Sequence, residues 1–241
     1  MERKTLVSIA GFDPTGLAGI LRDIQVFQSL GFHGAGTITA LTIQSTKKVL
    51  RKKDVDKKFI FESLDKIDLK VSGIKIGMLN DEKIGREVLK FIEHKNIKRI
   101  VIDPVIFSTS KFRLLSEKGV KFMIERLLPL ATCITPNLNE GKILTGEKDI
   151  EKILKRLSDM TEGFIVLKNI DGSDLFYDRN YIVSIEPFHR LKNVNMHGSG
   201  CVYSSALLSY LAKDMNPLLS AKMAKKYTEE EILSFIKKPV D

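Results

Sequence analysis

The sequence predicts an α/β protein, a three-layer α/β/α sandwich with a mostly parallel central sheet. Seven apolar bursts of strand length recur along the chain, and the segments between them show the three-to-four residue apolar spacing of amphipathic helices. Near-continuous apolar strands joined by crossover helices are typical of a parallel sheet covered on both faces. The predicted strands are residues 6–10, 34–40, 71–76, 99–102, 133–135, 163–167 and 174–177, and the predicted helices are residues 20–30, 81–95, 117–130, 139–144 and 202–213.

Composition predicts a single domain over residues 1–241. Apolar residues make up 43% of the chain and charged residues 29%, and we find no Ser/Gly linker, low-complexity run or internal repeat. There is no run of about 18 apolar residues, and the first residues lead into a strand without the apolar stretch of a signal peptide. We therefore expect a cytoplasmic protein with no membrane partner. Cys133 and Cys201 follow no metal spacing and are expected to be free thiols.

The net charge of +9 at pH 7 leaves several classes of anionic partner open. Much of the excess lies in one basic cluster, which Asp54 and Asp56 interrupt and which has no interleaved aromatic residues. Such a cluster favours a solvated face over a nucleic-acid surface, so we expect no nucleic-acid partner. The cluster comprises Lys47, Lys48, Arg51, Lys52, Lys53, Lys57 and Lys58.

The most informative motif is Asn195-Met196-His197-Gly198-Ser199-Gly200-Cys201, which runs directly into the last predicted helix. Gly198 and Gly200 allow a tight turn, and the first free N–H groups of the helix then face an anion. We expect the helix dipole to lower the pKa of the Cys201 thiol. The same residues also suit a glycine-rich connection before a core helix with a small buried cysteine, and the motif alone does not decide between the two interpretations.

Ligands of parallel α/β sheets bind outside the carboxyl ends of the strands, so the residues that follow each predicted strand are candidates for a site. Each also has a purely structural explanation: Asp23 as a solvated helix residue, Met78 as core filling, or Lys168 as a surface charge. Together they place carboxylates, amides and an ammonium group on one rim of the sheet. In chain order the candidates are the glycine loop 11–19 with Asp23, then Thr42 with Gln44, Met78, Asp103, Asn137 with Glu140, and Lys168.

This set of residues suits phosphoryl transfer. Asp103 and Glu140 offer hard oxygen ligands that hold Mg²⁺ directly or through its waters. Lys168 supplies a positive charge for nucleotide phosphates, and the turn at 198–201 stabilises charge on the transferred group, with Cys201 facing the acceptor hydroxyl. The chain contains no G-x-x-x-x-G-K-[ST] segment, so we do not expect a P-loop enzyme.

From about Ser8 to Tyr227, the chain resembles the hydroxymethylpyrimidine and phosphomethylpyrimidine kinases of thiamine biosynthesis, which belong to the ribokinase-like superfamily. Several motifs carry the resemblance: Asp13, Ala18-Gly19-Ile20 with Asp23, Thr39-Ala40-Leu41-Thr42 with Gln44, Lys75 with Gly77-Met78-Leu79, Asp103-Pro104-Val105, Leu127-Leu128-Pro129-Leu130-Ala131-Thr132, Thr135-Pro136-Asn137-Leu138 and His197-Gly198-Ser199-Gly200-Cys201. The resemblance implies a ribokinase-like fold and ATP- and Mg²⁺-dependent phosphorylation of 4-amino-5-hydroxymethyl-2-methylpyrimidine and its monophosphate. A homodimer is the expected assembly.

The resemblance also implies roles for individual residues. Gln44 and the backbone near Gly11 and Ala18 bind the pyrimidine, and Asp23 and Met78 line its pocket. Asn137 and Glu140 form the Mg²⁺-linked N-x-x-E element. Lys168 contacts the ATP phosphates, and Cys201 stands where many sugar kinases of the superfamily have a catalytic Asp. The residues themselves further predict Asp103 as a metal ligand, Ser199 as a nucleotide contact, and Gly198 and Gly200 with Cys201 as the catalytic turn.

The chain departs from the family pattern at three places. Phe12 and Leu17 make the first loop bulkier, Lys168-Asn169-Ile170-Asp171 lacks the usual glycines, and residues 228–241 replace the final helices with a charged, divergent segment. Two alternative functions therefore stay open: a pyridoxal or pyridoxine kinase, and a catalytically silent pyrimidine-binding paralogue.

Overall fold

A nine-stranded sheet forms the centre of the protein, whose computed structural model describes residues 3–170, 172–189 and 197–237. The strands lie in the order β3-β2-β1-β4-β5-β6-β7-β8-β9. Adjacent strands are parallel from β2 through β1, β4, β5 and β6 to β7. The strands β3, β8 and β9 are antiparallel to their neighbours at the two edges of the sheet. The strands are β1 (Thr5–Phe12), β2 (His33–Gln44), β3 (Val49–Asp54), β4 (Val71–Ile76), β5 (Ile100–Ile102), β6 (Cys133–Ile134), β7 (Phe164–Ile170), β8 (Ser173–Tyr177) and β9 (Ile182–Ile185).

Helices cover both faces of this sheet. The helices are α1 (Gly19–Ser29), α2 (Lys57–Asp65), α3 (Glu82–His94), α4 (Glu117–Phe122), α5 (Leu138–Thr145), α6 (Ile150–Ser158), α7 (Ser199–Ala212) and α8 (Pro217–Lys237). One buried cluster joins α2 through α6 to one face of the sheet, and a second joins α1, α7 and α8 to the other. The predicted three-layer α/β fold with a mostly parallel sheet is therefore confirmed.

Side-chain caps explain where four of these helices begin. Asp56, Asp81, Ser116 and Asp149 each accept a hydrogen bond from a backbone N–H in the first turn of α2, α3, α4 and α6. These caps satisfy donors that a helix leaves unpaired at its N-terminus. The predicted helix at 117–130 divides into α4, a wider π turn at Met123–Leu127 and a 3₁₀ turn at Leu128–Leu130, where Pro129 has no N–H to continue an α-helix.

Apolar spacing did not find β3, β9, α2, α6 or α8. β3 is an edge strand whose Arg51 and Lys53 are exposed, so it has no buried face to produce an alternating pattern. Six of the seven residues of the basic cluster are exposed, and the seventh, Lys52, pairs with Asp54. The expectation that residue 228 onward replaces the final helices is wrong for 228–237, which continue α8.

Within the described ranges, we find no helix that combines the length and the apolar character needed to cross a membrane.

Candidate active site

A cavity of about 620 Å³ runs along the carboxyl edge of the parallel strands. Its lining extends from β2, near one edge of the sheet, to the β7–β8 connection and α8 near the other. Of the thirteen site residues that the sequence predicts, all except Asp23 line this cavity. They are Gly11, Ala18, Gln44, Met78, Asp103, Asn137, Glu140, Lys168, Gly198, Ser199, Gly200 and Cys201.

Asp23 does not line the cavity, contrary to the sequence-based expectation. It lies on the buried face of α1, where its carboxylate accepts hydrogen bonds from Lys75 Nζ at 2.9 and 3.0 Å and from Ser205 Oγ at 2.8 Å. Lys75 is fully buried and lines the cavity in its place. Burial opposes the charged ammonium group most strongly, but the surrounding groups, Asp23 foremost and then Cys201 and Asp103, together outweigh that effect and raise the pKa of Lys75. The ion pair between Asp23 and Lys75 therefore lies beneath the site.

The first loop is organised around the carboxylate of Asp13. Oδ1 accepts hydrogen bonds from the N–H and hydroxyl of Thr15, both at 2.8 Å, and Oδ2 accepts one from the N–H of Ala18 at 3.0 Å. His197 Nε2 lies 2.9 Å from Oδ2 and joins this loop to the start of α7. Burial alone would raise the pKa of Asp13, yet the hydrogen bonds from His197 and Thr15 lower it to about 2. The loop therefore carries a fixed negative charge.

Thr42 and Gln44 lie inside β2, which runs four residues beyond its predicted end. The Thr42 hydroxyl donates to the carbonyl of Phe12 at 2.9 Å and holds β2 against the first loop. The amide nitrogen of Gln44 lies 3.3 Å from His197 Nε2. Gln44 therefore enters the cavity at the junction of three separate chain segments.

The N-terminus of α7 has no side-chain cap. Gly198 occupies the N-cap position with φ of 85°, and a Cβ there would lie 1.8 Å from the carbonyl oxygen of Leu17. Only glycine fits this close approach, which packs the first loop against the helix. Residues 198–201 line the cavity, and the first N–H groups of an uncapped helix have no partner within the helix. Asn195 and Met196, which open the predicted motif, lie outside the described residues.

The Cys201 thiol has a raised pKa, so the expected lowering by the helix dipole is wrong. Burial is the largest cause, and the carboxylates of Asp23 and Asp103 add to it. The Lys75 ammonium group and the Gly19 N–H act in the opposite direction without reversing the shift, and the pKa is about 11. The thiol is consequently protonated at neutral pH.

Asp103 and Lys168 form a buried ion pair opposite the start of α7. Lys168 Nζ donates to Asp103 Oδ1 at 2.8 Å, and a Cβ on Gly200 would lie 3.3 Å from the same nitrogen. Burial opposes the charge on Lys168, but the carboxylates of Asp103 and Glu140 outweigh this and raise its pKa. The explanation of Lys168 as a surface charge does not match these contacts. Asp171, the last residue of the altered loop, lies outside the described residues.

Glu140 is both a helix cap and part of the cavity wall. Its Oε2 accepts from the Asn137 N–H at 2.9 Å, and the Asn137 side chain accepts from the Glu140 N–H at 2.9 Å, which completes a capping box at α5. Burial and the nearby Asp103 charge raise the pKa of Glu140 to about 7. Across the described ranges, no three His, Cys, Asp or Glu side chains are grouped to hold a metal ion by themselves.

The far wall of the cavity comes from α8, which sequence reasoning did not assign to the site. Lys225 Nζ donates to the carbonyl of Gly172 at 3.0 Å and to Asp174 Oδ2 at 3.2 Å, and Glu229 accepts from the His189 N–H at 2.8 Å. A detectable signal was present, since Ala221, Ala224, Thr228 and Ile232 follow helical spacing and are buried. Asp13, Lys75 and His197 were noted only as motif residues, without a role.

Comparisons with known proteins agree on one family. Residues 13–238 match the family model described as phosphomethylpyrimidine kinase. The hydroxymethylpyrimidine/phosphomethylpyrimidine kinase of Aquifex aeolicus is 33% identical over 238 residues, covering 94% of this chain and 93% of that protein. The protein of the same name from Rhizobium meliloti is 36% identical over 233 residues, covering 91% and 86%. A thiamine biosynthesis bifunctional protein of Geobacter sulfurreducens is 32% identical over 93% of this chain and 48% of its own.

Solved structures give the same fold. The phosphomethylpyrimidine kinase from Clostridium difficile superposes with a TM-score of 0.82 at 30% identity and covers 95% of this chain and 100% of its own. The pyridoxal kinase from Staphylococcus aureus in complex with ADP has a TM-score of 0.84 at 27% identity and covers 96% and 89%. A pyrimidine kinase and an ADP-bound pyridoxal kinase therefore share this fold.

Proposed function

The chain belongs to the phosphomethylpyrimidine kinase family, and from that premise we propose how its cavity phosphorylates 4-amino-5-hydroxymethyl-2-methylpyrimidine and its monophosphate with ATP. One observation carries the proposal. The uncapped N-terminus of α7 and the Lys168 ammonium group converge, since a Cβ on Gly200 would lie 3.3 Å from Lys168 Nζ. Backbone N–H groups and a buried cation that meet at one point stabilise the negative charge of the phosphoryl group during its transfer.

The pyrimidine ring binds at the β2 side of the cavity in this proposal. Gly11 and Ala18 bring backbone close to the ring, Met78 packs on it, and Gln44 hydrogen-bonds its polar edge. A Cβ on Gly11 would lie 2.7 Å from Met78 Sδ, so the glycine keeps this part of the pocket open. Asp23 has no direct contact with the ring and acts by holding Lys75.

The nucleotide phosphates bind between α7 and the loops after β5 and β7. Lys168 neutralises phosphate charge, Ser199 and the backbone at 198–200 donate hydrogen bonds, and Asn137 lies beside them on the cavity wall. The ribose and base extend towards α8, where Thr228 and Ile232 line the cavity.

The donor set fits Mg²⁺ held mainly by water and phosphate. Asp103 and Glu140 both line the cavity, and among the described residues no third acidic or imidazole side chain groups with them, which matches an ion that keeps several waters. Bound there, Mg²⁺ would neutralise charge that builds up on the phosphate oxygens. Glu140 serves this role in its ionised form, so its raised pKa makes metal affinity dependent on pH.

Cys201 orients the acceptor hydroxyl. A thiol with a pKa of about 11 is protonated at neutral pH, so few molecules hold the thiolate that a strong general base requires. Phosphoryl transfer has a loose transition state and depends chiefly on positioning and charge neutralisation. The acceptor oxygen bonds to the γ-phosphorus, the bond to the β–γ bridging oxygen breaks so that ADP leaves, and the acceptor proton passes to an oxygen of the transferred phosphoryl group.

A pyridoxal kinase is the second candidate, favoured by the ADP-bound pyridoxal kinase that shares this fold. A coupled assay of ADP release with the pyrimidine and with pyridoxal decides between them. We expect a higher kcat/KM for the pyrimidine, and a higher value for pyridoxal would contradict the proposal. No turnover of either would favour the silent paralogue, against which the retained Cys201, Glu140 and Lys168 argue.

We also propose that the protein is a cytoplasmic homodimer that does not bind nucleic acid. Leu41, Ile43 and Leu50 are exposed apolar side chains on β2 and β3, and contact with a second copy would bury them. Cys133 and Cys201 are both free thiols, which suits a reducing compartment. Analytical ultracentrifugation tests the assembly, and a monomer at micromolar concentration would contradict it.

A further inference from the structure

Strand β7 contains a bulge at the position of Lys168. The antiparallel pairing of β7 with β8 shifts register between Leu167 and Ile170. Two residues of β7, Lys168 and Asn169, therefore lie opposite the single residue Asp174 of β8. A bulge of this kind bends the strand and redirects its side chains, and such bulges are common beside active sites. The direction of the Lys168 side chain therefore depends on how the bulge is held.

Two backbone hydrogen bonds hold this bulge, one on each side. Asn169 has a φ of 61°, in the left-handed region that residues other than glycine seldom adopt, so its surroundings must maintain it. The Asn169 N–H donates to Asp174 Oδ1 at 2.8 Å. The Lys168 N–H donates in the opposite direction, to the carbonyl of Pro136 at 2.8 Å. The backbone that carries Lys168 is therefore fixed on one side by the Asp174 carboxylate.

Lys225 of α8 holds that carboxylate in turn. Its Nζ donates to Asp174 Oδ2 at 3.2 Å and to the carbonyl of Gly172 at 3.0 Å, and it lies 3.8 Å from Glu229 Oε1. The side chains of Lys225 and Asp174 are only 9% and 7% exposed. An ammonium group has three N–H donors, and three oxygens of the cavity wall surround this one. The charge of Lys225 is therefore directed at the wall itself.

We infer that Lys225 is a positioning residue for Lys168, because through Asp174 it holds the bulge that directs Lys168 at the start of α7. The contacts run from Lys225 Nζ to the Asp174 carboxylate, and from that carboxylate to the N–H of Asn169, the residue next to Lys168. At the other end, Lys168 Nζ lies 2.8 Å from Asp103 Oδ1 and faces the first turn of α7. The effect of Lys225 on the nucleotide is therefore indirect, and it rests on the proposed contact of Lys168 with the phosphates.

A double-mutant cycle separates this indirect role from a direct contact with the nucleotide. Lys225→Met and Lys168→Ala are made singly and together, and the calorimetric Kd for ATP with Mg²⁺ is measured along with kcat, the KM for ATP and the melting temperature. Lys225→Met leaves a buried carboxylate without its cation, so Asp174 should turn towards water and release the Asn169 N–H. We expect ATP to bind about fivefold more weakly in Lys225→Met, but no further weakening when Lys168 is already alanine.

Two further variants serve as controls. Lys225→Arg keeps the charge and the donors, so ATP affinity should return to within about twofold of the wild type. Lys226→Met removes the same charge from the next residue of α8, which is 44% exposed and does not line the cavity, and it should leave ATP affinity unchanged. If Lys225→Met does not fold, Asp174→Ala enters the same cycle, since it removes the acceptor of the Asn169 N–H directly.

Equal losses of ATP affinity from Lys225→Met in the wild type and in Lys168→Ala would overturn the inference, because Lys225 would then act on the nucleotide without Lys168. A lower melting temperature with unchanged ATP affinity would also overturn it, since that is the result of a purely structural role. If Lys168→Ala binds ATP as tightly as the wild type, the inference fails, while turnover of the pyrimidine still supports the proposed function. If the cycle gives the expected result but neither ring is phosphorylated, the inference stands and the proposed function fails.

Discussion

Of the helix N-termini that line the cavity, those of α5 and α7 are built in opposite ways. α5 begins with a complete capping box, in which Asn137 and Glu140 satisfy each other's backbone N–H groups. α7 begins at Gly198, in the left-handed region, without any side-chain cap. A helix that caps itself has used the donors that would bind an anion, whereas an uncapped helix keeps them for a ligand. The difference supports the proposal that α7 binds the phosphates while the start of α5 has a supporting role.

The largest expected effect comes from adding a side chain at Gly198, in the turn that begins α7. Gly198→Ala places a Cβ 1.8 Å from the carbonyl oxygen of Leu17, so the turn and the first loop must separate. Because loss of oriented N–H donors costs transition-state stabilisation, we expect kcat to fall by about 100- to 1,000-fold. Steady-state kinetics with the pyrimidine and ATP provide the measurement.

Gly146→Ala is the matched control at the other helix. Gly146 also has a left-handed φ, of 76°, at the C-terminus of α5, but a Cβ there meets nothing within 4 Å. It should cost about 1–2 kcal/mol of unfolding free energy and leave kcat unchanged. Equal kinetic losses in the two variants would mean that backbone strain, not the α7 turn, controls activity.

Replacing Cys201 separates orientation from proton transfer. With the acceptor hydroxyl less well held, Cys201→Ala should lower kcat by about 100-fold with little change in the KM for ATP. Cys201→Ser should recover a good part of the rate, because a hydroxyl is also protonated at neutral pH. A kcat in Cys201→Ala equal to the wild type would identify Cys201 as a packing residue.

Lys168→Ala tests the cation that faces α7. Loss of a buried charge beside the phosphates should raise the KM for ATP and lower kcat together, each by about tenfold. Lys152→Ala is the control, because it removes the same charge from an exposed position on α6 that does not line the cavity. It should leave kcat and the KM for ATP unaltered. An unchanged KM for ATP in Lys168→Ala would remove this lysine from the nucleotide site.

Glu140→Gln has the smallest expected effect, and it separates the role of Glu140 as a helix cap from its proposed role as a metal ligand. A glutamine oxygen can still accept from the Asn137 N–H, so the capping box persists. In the wild type, the Mg²⁺ concentration for half-maximal activity should fall as pH rises through about 7, because Glu140 ionises there. The variant should need more Mg²⁺ at pH 8 and lack this pH dependence.

The stability of the same pair of proteins gives an independent check. A folded-state pKa of about 7 lies above the ordinary value of 4.5, so the native protein binds more protons than the unfolded chain between those pH values. The unfolding free energy of the wild type should therefore decrease relative to Glu140→Gln as pH rises through this window. Parallel pH profiles in denaturant titrations would contradict the raised pKa.

The sequence could predict what depends on local patterns. Apolar periodicity gave the parallel sheet, the Asn137–Glu140 spacing marked one helix start, and the glycines at 198 and 200 marked the other. It could not predict properties set by distant neighbours. Asp23 pairs with Lys75, which lies 52 positions further along the chain. The pKa of Cys201 is raised by burial and by two carboxylates from other segments. The contact between His197 and Gln44 spans 153 positions, so no local motif reveals it.

The most direct test of the difference between the two helices is a crystal structure with the pyrimidine, Mg²⁺ and a non-hydrolysable ATP analogue. We expect the γ-phosphate to lie within hydrogen-bond distance of backbone N–H groups at 199–201 and of Lys168 Nζ, with the Asn137–Glu140 capping box intact. A γ-phosphate bound at the start of α5, with that capping box opened and α7 making no contact, would contradict it.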